Sequence, residues 1–107
     1  MIAAMAGIDL RLFSAAVHAR ADEWKNAGAR WSLTVGSERD GSVASIDCET
    51  GRALVRLVVK ADGDAEMKVV AQPGRLTSLY YYRLATADDV TTCLNELTRQ
   101  LDPGLRG

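Results

Sequence analysis

From residue 41 to residue 85 apolar and polar side chains largely alternate, and the alternation breaks at Glu49-Thr50-Gly51, Asp62-Gly63-Asp64 and Pro73-Gly74. Successive side chains of an extended chain point to opposite faces, so a period of two broken by turn formers predicts antiparallel strands joined by hairpins. Four strands follow, over residues 43–49, 52–61, 65–72 and 76–84. A fifth precedes them over 30–35, with Trp31, Leu33 and Val35 on one face and Arg30, Ser32 and Thr34 on the other. The polar residues between Gly36 and Gly41 supply its hairpin connection.

The inward rows read Ala44, Ile46 and Cys48, then Ala53, Val55, Leu57, Val59 and Ala61, then Met67, Val69 and Ala71. The opposite rows are mixed: Val43, Ser45, Asp47 and Glu49 on one strand, Leu54, Arg56, Val58 and Lys60 on the next. One face of the sheet is therefore covered and the other faces mainly solvent. The run Tyr80-Tyr81-Tyr82 leaves the last strand open between two registers, one burying Leu79 and Tyr81, the other Tyr80 and Tyr82.

Spacings near three and four put Leu10, Phe13, Val17 and Trp24 on one stripe of a helix over residues 8–27, with Asp9 near its start and Gly28 as its stop. Thr86-Ala87-Asp88-Asp89 has the form of a capping box. It opens a second helix with Val90, Cys93, Leu94, Leu97 and Leu101 on one stripe, stopped by Asp102-Pro103-Gly104. Both stripes need an apolar partner, and the covered sheet face is the only one large enough. The prediction is an α+β fold: N-terminal helix, five-stranded antiparallel meander, C-terminal helix, both helices on one face of the sheet. Residues 1–107 make one domain, with 1–7 and 102–107 expected to be flexible ends.

Composition narrows the function classes. A net charge of −1 and a pI near 5.7 give no general attraction to nucleic acid or to anionic membrane. No apolar run approaches the length that spans a bilayer, and no basic region precedes the apolar first residues, so the expected location is the cytoplasm. The two cysteines, Cys48 and Cys93, are too few and too separated for a disulfide framework or a zinc site, and both fall on inward rows.

Candidate chemistry is sparse. His18 is the sole histidine, in the middle of the first helix, and neither a nucleophile elbow nor a glycine-rich oxyanion loop accompanies it. Asp62, Asp64 and Glu66 lack calcium-loop spacing, and a hairpin turn explains them. The glycines form no phosphate or dinucleotide loop. Arg75 and Arg83 bracket the tyrosines among acidic turns, a poor surface for direct nucleic-acid binding. The expectation is a protein that is not an enzyme, has no metal site and needs no cofactor.

Trp31, then Ala44-Ser45-Ile46-Asp47, then Gly51-Arg52-Ala53-Leu54-Val55, then Asp64-Ala65-Glu66-Met67-Lys68-Val69, then Tyr81-Tyr82 and a capped helix form an order and spacing that resemble the TriTu-type immunity proteins. The resemblance spans about residues 24–101, with Ala44-Ser45-Ile46-Asp47 its most specific part; the helix before Trp31 and the basic Arg56 and Lys60 depart from it. It implies a small cytoplasmic partner of a polymorphic toxin, especially one delivered by contact-dependent growth inhibition. Such toxins are often nucleases, including ones acting on tRNA, with basic clefts that an acidic surface can occupy. The residues this implies for toxin binding are Asp47, Glu49, Asp62, Asp64 and Glu66, with Tyr80 or Tyr82, whichever is exposed, as aromatic anchor. A solvated sheet face charged for solubility accounts for any one of the acids equally well. The implied assembly is a monomer in a one-to-one complex. The alternative is a dimeric secretion chaperone or adaptor that binds an extended segment along a sheet edge.

Overall fold

A computed structural model describes residues 9–38, 41–71 and 75–101. The order is α1 (Leu10–Asn26), β1 (Arg30–Glu38), β2 (Gly41–Glu49), β3 (Ala53–Lys60), β4 (Asp64–Ala71), β5 (Arg75–Arg83) and α2 (Ala87–Leu101). Each strand pairs antiparallel with the next, so the sheet runs in chain order and β1 and β5 are its edges. Both helices pack on one face, α1 over β1 and β2 and α2 over β3, and they touch each other. This is the predicted α+β architecture, with a single buried cluster between the helices and the sheet.

Local chemistry accounts for the helix limits. The Asp9 side chain accepts a hydrogen bond from the Arg11 N–H at 2.9 Å, which satisfies one of the free donors of the first turn of α1. At the other end Gly28 has φ 85°, a conformation open to glycine. It lets the Ala29 N–H reach the Trp24 carbonyl at 2.9 Å and its own N–H reach that of Lys25 at 3.0 Å, the paired bonds of a Schellman stop.

The capping box at α2 is reciprocal. Thr86 Oγ1 accepts from the Asp89 N–H, while the Asp89 carboxylate accepts from the N–H groups of Ala85 and Thr86. The Ala85 bond, then the Thr86 bond, holds the Asp89 carboxyl below the ordinary carboxylate range. A depressed folded value means that the unfolded chain takes up the proton first, so the stabilisation is present above the unfolded value and disappears as pH falls through the folded one. Asp89→Ala should therefore lower the urea midpoint near pH 7, and the gap from wild type should narrow toward about pH 3. An equal gap at both would show that the carboxylate's charge contributes nothing to the cap.

Burial follows the alternation. Ala44, Ile46 and Cys48 of β2, Val55, Leu57 and Val59 of β3, and Met67 and Val69 of β4 all lie in the core. They meet Phe13, Val17 and Trp24 of α1 and Val90, Cys93, Leu94, Leu97 and Leu101 of α2. Burial pushes both thiols, Cys48 and Cys93, up to about 12, with Asp47 and Glu96 adding to the effect, so both remain protonated core groups.

Several expectations need correction. The ladder between β1 and β2 continues to Glu38 and Gly41, so the polar loop expected from Gly36 onward shortens as strand pairing takes up its donors and acceptors. Ala61 does not extend the inward row: β3 ends at Lys60, the Gly63 N–H turns back to the Lys60 carbonyl at 2.9 Å, and Ala61 is left exposed in the turn. Ala71 is only half-buried, and Val35 is 53% exposed because β1 is an edge. The Pro73-Gly74 turn and the ends expected to be flexible lie outside the described residues.

Candidate binding face

The face of the sheet away from the helices carries the residues singled out for binding. Pairing sets them in rows across the strands: Ser32, Asp47, Arg56, Lys68 and Leu79 in one, and Thr34, Ser45, Val58, Glu66 and Tyr81 in the next. Arg30, Glu49, Leu54 and Val70 form a row at one end, and Arg83 stands opposite Asp64 at the other.

The register of β5 settles the tyrosine question. Tyr80 and Tyr82 turn toward the helices and pack, half-buried, against the core. The Tyr80 hydroxyl accepts from Gln100 Nε2 at 3.4 Å. Burial, with Cys93, Glu96 and Tyr80 nearby, pushes the Tyr82 phenol up to about 12. Neither is the exposed aromatic of the open face. That residue is Tyr81, 71% exposed, opposite Glu66 and two residues from the partly exposed Leu79. It stands beside a depression of about 350 Å³ lined also by Val58, Lys60, Asp64 and Glu66.

The acids prove to be distributed among bases. Asp47 faces Arg56 across β2 and β3, and its two oxygens accept from Arg56 Nε at 2.7 Å and from Nη2 at 3.3 Å. That pair holds the Arg56 guanidinium above its ordinary value, through the hydrogen bond first and the charge second. Asp64 meets Arg83 at 3.3 Å. Asp62 sits in the β3–β4 turn rather than on the face, with Oδ1 accepting from the Asp64 N–H at 2.9 Å. Exposed pairs of this kind are worth at most about 1 kcal/mol, yet each occupies a carboxylate that an incoming cation would need. Among the described residues, Glu49 and Glu66 have no cation within ion-pair distance.

The expectation of an acidic face is thus corrected. Asp47, Glu49, Asp64 and Glu66 share it with Arg30, Arg56, Lys60, Lys68 and Arg83. Cross-strand pairing brings together charges that are far apart in sequence, and an inventory of acids alone does not see it. Arg56 and Lys68 stand directly opposite one another, an arrangement that costs stability for like charges. The half-buried Leu54, Val58 and Val70 add apolar surface to the same face.

His18 lies on the exposed side of α1, with its ring edge-on to Trp31 at 5.5 Å between centroids. Both cysteines are free and buried in the core. Compared with family models, with curated proteins and with solved structures, the chain has no match. No helix among the described residues is long and apolar enough to cross a membrane.

Proposed function

We propose that this domain is an immunity-type inhibitor: it binds a toxin domain, a nuclease by the resemblance over residues 24–101, and covers its active site with the open face of the sheet. The observation that carries this reading is the exposed Tyr81, set among Val58, Leu79, Lys60 and Glu66 beside a shallow depression on a face that the helices leave bare. An exposed aromatic ring beside apolar side chains is the make-up of an interface centre, and the charged residues around it suit the polar rim.

The charge pattern alters the mechanism expected from the acids alone. Glu49 and Glu66 are available to receive the toxin's cations, while Lys60 and Lys68 are available to its carboxylates, so the fit is to a surface of mixed charge. Asp47 and Asp64 act through Arg56 and Arg83, shaping the face rather than meeting the toxin alone.

The test is co-expression with the toxin domain that this reading expects to be encoded beside the gene, followed by titration of the purified partners. Tyr81→Ala should leave the thermal midpoint almost unchanged and weaken binding by about thirtyfold, the size of a central aromatic anchor. Glu66→Gln should act chiefly on the association rate and only at low salt. Toxin binding untouched by Tyr81→Ala and by Val58→Glu together would remove the open face from the mechanism.

A further inference from the structure

The two edges of the sheet are unlike. Along β5 the register shifts as β4 passes from Val69 to Val70, and arginines stand at both ends of the strand. Irregular pairing and edge charge are means by which sheets discourage further strands. β1 has neither. Its nine residues pair with β2 without a break, from Arg30 opposite Glu49 to Glu38 opposite Gly41. Between its ends the sequence Trp-Ser-Leu-Thr-Val-Gly-Ser holds no charge and no proline. Among the described residues no strand lies beside its outer backbone groups, and Val35 is 53% exposed on the helix side of this edge. A long, regular edge that is uncharged between its ends is a template for strand addition.

The geometry points to a second copy of this chain as the strand that completes it, through antiparallel pairing of β1 with its own counterpart about a two-fold axis at Thr34. The strand is complementary to its reverse. In that register Thr34 meets Thr34 and Leu33 meets Val35, an apolar pair on the helix side. The first residue, Arg30, stands opposite the last, Glu38, which is of opposite charge. Threonine pairs, apolar pairs and opposite charges are the cross-strand combinations that stabilise an antiparallel ladder. A two-fold contact uses one patch on both copies and closes on itself, so it ends at a dimer. A two-fold normal to the sheet keeps both helix layers on one side and both open faces on the other. Dimerisation through β1 therefore leaves the face around Tyr81 free, and the inference stands independently of what that face binds.

Sedimentation of the full chain over about two decades of concentration, up to about 1 mM, should show a monomer–dimer equilibrium. Thr34→Lys, which sets two ammonium groups against each other at the axis while leaving the core untouched, should weaken it at least about tenfold. Thr34→Cys should give a covalent dimer on mild oxidation, since directly opposed strand residues lie within disulfide reach and both native thiols are buried. A wild-type chain that stays monomeric throughout overturns the inference. So does a dimer that Thr34→Lys leaves intact and Thr34→Cys does not cross-link, an outcome that would assign self-association to another surface.

Discussion

Leu57→Ala should lower stability by about 3–5 kcal/mol, with a fall in the thermal midpoint on the order of 15–25 °C. Leu57 is fully buried at the centre of β3, the middle strand, where it faces Ile46 on one side and Met67 on the other, both equally buried. α2 lies over the same strand. A residue flanked by two paired strands and covered by a helix sits among backbones that cannot close on the space left by its lost methyl groups, so only side-chain shifts, chiefly of Met67, can fill it. The cavity cost therefore adds in large part to the transfer cost. Domains of this size are stable by roughly 5–15 kcal/mol, so the loss is a large share of the total. Leu79→Ala, on the open face, supplies the contrast and should cost less than about 1 kcal/mol. Urea unfolding would read both, and equal midpoints for Leu57→Ala and wild type would contradict the placement of this residue in the core.

Trp24→Ala should be comparably damaging, by about 3–5 kcal/mol, and for two separable reasons. The indole is the largest fully buried side chain described, packed edge-on to Trp31 at 5.9 Å between centroids. It also ties the two helices together, since Nε1–H donates to Thr98 Oγ1 at 2.8 Å while the Thr98 hydroxyl donates to the Leu94 carbonyl at 2.9 Å. Arg20 reinforces the same seam by hydrogen-bonding Asn95 and by reaching Thr98 at 3.5 Å. Trp24→Phe keeps much of the apolar contact and removes the donor. It should cost less than Trp24→Ala, with about 1 kcal/mol of its effect assigned to the lost hydrogen bond. If Trp24→Phe and Thr98→Val together cost as much as the sum of the two alone, the hydrogen bond contributes no coupling and packing accounts for the seam.

The binding face was the least legible part of the chain. Asp47, Glu49 and Glu66 were recognisable as outward residues because apolar and polar side chains alternate along β2 and through most of β4, while Asp64 was read as part of the hairpin turn. Their electrostatic meaning was not, because Arg56 lies nine residues from Asp47 and Arg83 nineteen from Asp64, and only pairing makes them neighbours. Tyr81 was hidden for a different reason. A run of three identical residues reads the same in both registers, so alternation puts a tyrosine on each face without saying which.

Element order, the covered face of the sheet, both apolar helix stripes and the caps at Asp9, Gly28 and Thr86 were all decided locally. Each depends on residues within a few positions of one another, through side-chain period or through bonds to nearby backbone groups. The register of β5, the exposure of Ala61 and Val35, the neutralised carboxylates of the open face and the unguarded edge of β1 were decided by the assembled sheet. These depend on which strand lies beside which and where pairing stops, and the hydrogen bonds that settle it join residues distant along the chain.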